Sequence, residues 1–219
     1  MSEQPDIPPA PTSPGGVRVE RTEISGTFSL DGGTWEVDNN VWVLGDDREC
    51  LVVDAPHRAA PILELVEGRR VLAILCTHGH DDHIGAAVEV AHATGAPAYL
   101  HPEDRMLWDR VHDQPPGGEL ADGRTFRVGD VEVRVVHTPG HSPGSCCFYV
   151  AALGLLFTGD TLFQGGPGAT GRSFSDFDTI VRSIRDRLLV LPSETVVLTG
   201  HGAATTIGAE AAHSTEWTS

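Results

Sequence analysis

Four apolar segments of the chain each lead into a loop that carries a histidine or an aspartate, and this pattern constrains the fold more than any other feature. The segments are 71–76, 131–136, 155–159 and 196–200, and the polar residues that follow them are His78, His137, Asp160 and His201. Short apolar runs bounded by turn residues predict buried strands. Since chemistry in α/β proteins gathers at the carboxyl ends of strands, we expect these four side chains to lie at one edge of the sheets.

The loop after the first of these strands is the densest in potential ligands. Its sequence, THGHDDH, supplies His78, His80, Asp82 and His83 within six positions. Imidazole and carboxylate together suit Zn²⁺, Fe²⁺ or Mn²⁺. Four ligands this close in sequence cannot all reach one ion without strain, because His78 and His80 share one side of an extended backbone while the other two begin a helix. The loop therefore predicts two neighbouring metal ions.

Two metal ions need further ligands, and the other strand ends offer His137, Asp160 and His201. Two more residues are candidates for supporting roles. Asp54, which ends the strand 50–54, is placed to accept an N–H from a ligand histidine, as partners of metal-bound histidines do. His141 is expected beside the ligands without being one.

The order of predicted elements indicates the fold class and the domain organisation. Sets of strands with interspersed helices, among them a helix over 83–94, favour an α/β fold with two mixed sheets covered by helices. Residues 17–219 form one predicted domain. Residues 1–16 contain five prolines and almost no apolar side chains, and they predict a disordered tail.

Charge and composition exclude several classes of partner. The formal net charge is −16, and all 15 basic residues are arginines, so neither nucleic acid nor an anionic membrane surface is an expected partner. No apolar run is long enough to span a membrane, and the first residues do not resemble a secretory signal. The four cysteines lie in apolar surroundings, and we expect them to be free buried thiols. These features together predict a cytoplasmic protein.

Five motifs together resemble the metallo-β-lactamase superfamily, specifically its glyoxalase II-like (hydroxyacylglutathione hydrolase-like) branch. They occur in the family's order and span most of the chain, at 77–83, 137–145, 157–163, 171–172 and 198–202. The resemblance implies an αββα four-layer sandwich. It also implies that His78, His80 and His137 hold a first metal, that Asp82, His83 and His201 hold a second, and that Asp160 bridges both.

The resemblance further implies a binuclear metal-dependent hydrolase. Its two divalent cations, for which Zn²⁺ is favoured and Fe or Mn are alternatives, supply a bridging hydroxide as nucleophile, and Asp82 orients that hydroxide or passes a proton. A small acyl-thiol is the expected substrate, since a thiolate leaves readily; the carrier (glutathione, mycothiol or another thiol) stays open. Arg172 either pairs with a substrate carboxylate or ties its own loop to Asp176 or Asp178. Asp160 argues against β-lactam substrates, because antibiotic-hydrolysing members usually lack a carboxylate there.

A second enzyme class shares the same motifs. Persulfide dioxygenases resemble this chain but use one non-haem iron, which here would be held by His78, His137 and Asp160. The surroundings of His201, in LTGHG, resemble the hydrolases more closely and favour the first function. The sequence leaves the oligomeric state open between monomer and homodimer.

Overall fold

Residues 11–217 are described by a computed structural model, in which two six-stranded sheets lie at the centre. The first sheet has the order β1-β2-β3-β4-β5-β6. Its strands are β1 (Arg18–Leu30), β2 (Gly33–Gly45), β3 (Glu49–Val53), β4 (Arg70–Leu75), β5 (Ala98–Leu100) and β6 (Gly118–Glu119). The first three strands are antiparallel, and β3 to β6 run parallel.

The second sheet has the order β14-β13-β10-β9-β8-β7. Its strands are β7 (Thr125–Val128), β8 (Val131–His137), β9 (Cys146–Val150), β10 (Leu155–Gly159), β13 (Val196–Thr199) and β14 (Thr205–Thr206). A small hairpin of β11 (Leu162–Phe163) and β12 (Gly166–Pro167) follows β10. All pairs in the second sheet are antiparallel except β10 with β13.

Six α-helices of the described residues 11–217 cover the outer faces of the two sheets. They are α1 (Ala59–Leu65), α2 (Asp81–Ile84), α3 (Ala87–Thr94), α4 (Arg105–Trp108), α5 (Phe177–Ser183) and α6 (Ile207–His213). Three hydrophobic clusters separate the layers. One packs α1 and α3 on the first sheet, one fills the space between the sheets, and one packs α5 and α6 on the second sheet. The predicted αββα four-layer sandwich is therefore confirmed.

Parallel strand pairs bring the polar residues to one edge of the sandwich. The pairing of β10 with β13 places Gly159 opposite Thr199, so Asp160 and His201 leave the sheet side by side. The pairing of β3 with β4 places Val53 opposite Leu75, so Asp54 lies beside the start of the 77–83 loop. This edge was predicted from the sequence because parallel strands carry their carboxyl ends in the same direction.

Two predicted elements differ from the structure. The helix expected over 83–94 is divided into α2 and α3, because the backbone N–H of Ala86 donates to Ala55 O, next to β3, instead of continuing the helix. The tail expected over 1–16 is ordered in its last part. The side chain of Ser13 is buried and donates to Asp130 Oδ1, while Gly15 N donates to the other oxygen of that carboxylate. Residues 1–10 lie outside the described residues.

The cysteines agree with the sequence analysis. All four are buried and free. Burial raises the pKa of Cys50 and of Cys147 to about 11, so neither thiol is ionised at neutral pH. Within residues 11–217, no helix combines the length and the apolar character that crossing a membrane requires.

Candidate metal centre

Three imidazoles converge at the first cluster, which comprises His78, His80 and His141. Nδ1 of His80 lies 3.0 Å from Nε2 of His78 and 3.0 Å from Nε2 of His141. One ring nitrogen cannot form good hydrogen bonds with two others at once, because it offers either one proton or one lone pair. The three nitrogens instead have the spacing of ligands around a common cation, for which tetrahedral Zn–N bonds give separations of about 3.4 Å.

His141, and not His137, completes this cluster, so the prediction for His137 is wrong. The side chain of His137 stacks on His101, with ring centroids 4.0 Å apart, and its Nε2 donates to Pro143 O at 2.9 Å. The physical reason is that β8 ends at His137, whereas the following turn returns the chain to the cluster four residues later. The persulfide dioxygenase alternative assigned one iron to His78, His137 and Asp160. The structure does not bring these three side chains together, so this ligand set is corrected as well.

The second cluster comprises Asp82, His83 and His201. Nε2 of His83 and Nε2 of His201 are 3.2 Å apart, and Oδ2 of Asp82 lies 3.6 Å from the first and 3.4 Å from the second. These separations also match those of ligands around one cation. Asp82 and His83, which lie in α2, thus face away from His80, as the sequence predicted.

Asp160 lies between the two clusters. Its Oδ1 is 3.3 Å from Nε2 of His83, and its Oδ2 is 3.4 Å from Nε2 of His201 and 3.7 Å from Nε2 of His141. This approach depends on Gly200, since a Cβ at that position would collide with Asp160 Oδ1 and lie 2.7 Å from Cε1 of His83. The carboxylate therefore contacts both sides of the site.

The ring nitrogens that face away from the clusters are hydrogen-bonded in the manner of metal-binding histidines. Nδ1 of His83 lies 2.8 Å from Asp54 Oδ2, Nδ1 of His141 lies 2.9 Å from Ala169 O, and Nδ1 of His201 lies 2.8 Å from Asp38 O. Each of these contacts fixes a tautomer that leaves Nε2 with its lone pair toward the cluster. Asp54 thus lies where the sequence predicted, and it also accepts from Thr77 N and Oγ1.

The charges and pKa shifts of the site favour binding of a cation. Burial, together with neighbouring imidazoles, holds the pKa of His78 well below its usual range and lowers that of His80 to about 3, so both rings are neutral. Burial disfavours the charged form of His201, but Asp160 and Asp82 outweigh it and raise its pKa to about 10. Asp160 Oδ1 is buried and has no hydrogen-bond partner among the described residues. A cation between these carboxylates and imidazoles would replace the protons that otherwise balance the charge.

Two residues at the second cluster were missed by sequence reasoning. Nδ2 of Asn39 lies 3.2 Å from Asp82 Oδ2 and 3.3 Å from Nε2 of both His83 and His201. Its Oδ1 lies 2.7 Å from Nε2 of His57, which is half-buried and is the second of these residues. An Asn-Asn pair inside an apolar strand was the only available signal, since buried amides need partners.

We expect Asn39→Leu to weaken binding of the second metal ion by about tenfold to a hundredfold, the usual effect of removing a group that orients ligands. Without the amide, Asp82 loses the donor that fixes its Oδ2. Competition with a chelator measures the affinity. Gln114→Leu makes the same change at an exposed amide outside the site and serves as the control; equal affinities in both variants would contradict the role of Asn39.

Asp104 is a third missed residue, and it connects the two loops that form the first cluster. Its buried carboxylate accepts hydrogen bonds from Gly79 N, Gly144 N and Ser142 Oγ at 2.6–2.8 Å. Burial raises the pKa of Asp104, although these three donors oppose the rise. His80 and His141 flank the donors, so Asp104 fixes the distance between them. Nothing in its sequence neighbourhood indicates this contact.

A pocket of about 330 Å³ opens onto both clusters. His80, Asp82, His141, Asp160 and His201 line its floor, and Phe28, Trp35, Val37, Asp38, Ala169 and Arg172 line its walls. The guanidinium Cζ of Arg172 lies 4.2 Å from the ring centroid of Trp35. Its side chain forms no salt bridge with Asp176 or Asp178, and Asp176 instead caps α5 by accepting from Thr179 N. Arg172 therefore belongs to the pocket wall.

The fold and the two clusters define a metallo-hydrolase of the αββα type. Residues 34–201 match the family model described as metallo-beta-lactamase superfamily, and the chain belongs to that superfamily.

Three known proteins are similar to this chain over most of its length. The hydroxyacylglutathione hydrolase GloC of Haemophilus influenzae is 30% identical, with 75% of this chain and 85% of that protein covered. The crystal structure of BLEG-1 B3 metallo-beta-lactamase has a TM-score of 0.75 and 33% identity, covering 90% of this chain and 100% of that one. The structure of TTHA1623 in a di-iron-bound form has a TM-score of 0.69 and 34% identity, covering 80% and 93%.

Proposed function

We propose that the protein is a binuclear metal-dependent hydrolase of thioesters. The observation that carries this proposal is the pair of ligand triads with Asp160 between them. His78, His80 and His141 would hold one ion, Asp82, His83 and His201 the other, and Asp160 would contact both. The likeness to a di-iron-bound protein supports two metal ions, while Zn²⁺, Fe and Mn all suit this ligand set.

Bound divalent cations would supply a water of lowered pKa and polarise the acyl carbonyl. The chain's own residues complete the chemistry. Burial disfavours ionisation of Asp82, but His83 and His201 outweigh this effect and lower its pKa, so its carboxylate is available at neutral pH to orient the attacking water. A thiolate, with a pKa of about 8.5, leaves without a general acid, and the described pocket places no lysine or tyrosine beside the floor to act as one.

The choice of thioesters rests on the relative named a hydroxyacylglutathione hydrolase. β-Lactam hydrolysis is a second candidate, favoured by the likeness to BLEG-1. We rank it lower because Asp160, a carboxylate that argues against β-lactam substrates, occupies the centre of the site.

Assays of the metal-loaded protein on both substrate classes test this proposal. We expect hydrolysis of S-lactoylglutathione or a simple acyl thioester, loss of that activity on chelation, and its recovery on adding Zn²⁺ or Fe²⁺. Nitrocefin hydrolysis under the same conditions is the comparison. Turnover of nitrocefin without turnover of any thioester would contradict the proposal, and so would thioester hydrolysis that survives complete removal of metal.

A further inference from the structure

A half-buried imidazole, that of His57, lies next to Asn39 beside the second cluster. Nε2 of His57 is 2.7 Å from Oδ1 of Asn39, whose side chain is fully buried. The other end of the same amide, Nδ2, lies 3.2 Å from Oδ2 of Asp82. His57 and Asp82 therefore contact opposite ends of one amide group, so that a contact at the first end can fix which atom faces the metal site.

The groups around Asn39 determine the orientation of its amide. Nδ2 of Asn39 lies 3.3 Å from Nε2 of both His83 and His201, and these two rings use their Nδ1 atoms as donors on the side away from the cluster. In the metal-loaded site neither these nitrogens nor the carboxylate of Asp82 offers a proton. The amide NH2 group must therefore face the cluster, and Oδ1 must face His57. A carboxylate oxygen has two lone pairs, so Asp82 Oδ2 can bind a cation with one and accept from the amide with the other.

His57 is the donor in its contact with Asn39. Burial lowers the pKa of His57 and outweighs the opposing charge of Asp82, so the ring is neutral at pH 7. A neutral imidazole carries one N–H, and since Oδ1 of Asn39 can only accept, the proton is on Nε2. The hydrogen bonds thus run from His57 to Asn39 and from Asn39 to Asp82. Without the first bond, the amide can turn by 180° and present its oxygen to the Asp82 carboxylate, which repels it.

The surrounding backbone holds the His57 ring in place. Strand β1 passes against the ring at Gly26, where a Cβ would collide with it. His57 itself has a φ of +47°, a left-handed conformation that a residue other than glycine keeps only where its surroundings impose it. Gly85 ends α2 close to the same residue, since a Cβ there would lie 3.2 Å from His57 N. The imidazole is therefore packed against the helix that carries Asp82 and His83.

We propose that His57 is a positioning residue of the second metal site, and that it acts through Asn39 by keeping the amide NH2 group toward Asp82. The inference rests on the binuclear centre of the function proposed above, and it does not depend on the substrate. It predicts that a hydrogen-bond donor at position 57, rather than the volume of the side chain, increases the affinity for the second metal ion. It also predicts that this effect requires Asn39.

The test compares His57→Gln with His57→Leu, because the two new side chains are similar in size and only glutamine can donate to Oδ1 of Asn39. Backbone strain at this position affects both variants alike. Competition between the protein and a chelator for Zn²⁺ gives two stepwise dissociation constants, of which the one that Asn39→Leu raises is followed. We expect His57→Leu to raise this constant about threefold to tenfold, the effect of losing one hydrogen bond, and His57→Gln to keep it within about twofold of the wild type.

The same two variants are then made in the Asn39→Leu background. There the difference between glutamine and leucine at position 57 should disappear, because the partner through which His57 acts is gone. His92 supplies the matched control, since its Nε2 lies 3.2 Å from Oε1 of Gln114 in an imidazole–amide contact outside the site. His92→Leu should leave both dissociation constants unchanged.

Equal dissociation constants for His57→Gln and His57→Leu would overturn the inference. So would a difference between them that persists in the Asn39→Leu background, since His57 would then act by another route. In both cases the binuclear centre would stand. A wild-type protein that binds fewer than two Zn²⁺ ions would instead overturn the proposed function itself.

Discussion

Replacing Asp160 by asparagine is expected to lower kcat/KM by about a thousandfold or more and to reduce the metal content from two ions per chain to one or none. Asparagine keeps the shape of the side chain but removes the negative charge that faces His83, His201 and His141. Loss of one charge-stabilising group at a reaction centre alone costs about a hundredfold to a thousandfold, and loss of a shared ligand adds to it. Elemental analysis and steady-state kinetics measure the two effects.

Asp81→Asn is the matched control for this substitution. Asp81 lies in the same motif, but its carboxylate accepts from Ser29 N instead of facing the clusters. Asparagine retains an acceptor for that N–H, so we expect two metals and activity within about twofold of the wild type, as for most substitutions that keep local contacts. An Asp160→Asn variant with full metal content and wild-type kinetics would show that the carboxylate is not a ligand.

Replacing His141 by alanine and replacing His137 by alanine, in separate variants, is expected to have opposite effects on metal binding and activity. His141→Ala removes one of three nitrogens from the first cluster and should weaken binding of that metal by at least about a hundredfold, with a comparable loss of activity. The measurement is metal affinity by chelator competition, followed by kcat/KM at saturating metal.

His137→Ala is expected to retain two metals and most of the activity, because the His137 side chain stacks on His101 and contacts the backbone of Pro143. Its cost should appear in the free energy of unfolding, at about 1 kcal/mol for the lost hydrogen bond. The opposite pattern, with metal lost in His137→Ala and kept in His141→Ala, would restore the ligand set implied by the resemblance and contradict the geometry.

The sequence predicted most of the site because ligand residues at strand ends are a local signal. His78, His80, Asp82 and His83 follow one buried strand, and the parallel register of β10 and β13 brings Asp160 and His201 together. His137 was misassigned for the same reason. It ends a strand as the other residues do, but its chain turns back before reaching the cluster, and a strand-end rule cannot distinguish His137 from His141.

The supporting residues could not be predicted because their roles depend on contacts between distant segments. Asn39 meets His201 across 162 positions of the chain, and Asp104 meets Gly144 across 40. Neither residue stands in a motif. Arg172 was identified as a possible carboxylate partner from its Gly-rich loop. Its stacking on Trp35 could not be predicted, because Trp35 lies in the β1–β2 hairpin, which is distant from Arg172 in the sequence.

Locating the metals by anomalous diffraction from crystals of the protein prepared with Zn²⁺ tests the two-metal account most directly. The account predicts two anomalous peaks, one surrounded by His78, His80 and His141 and the other by Asp82, His83 and His201, with Asp160 in contact with both. A single peak at full metal loading, or a peak coordinated by His137, would contradict it.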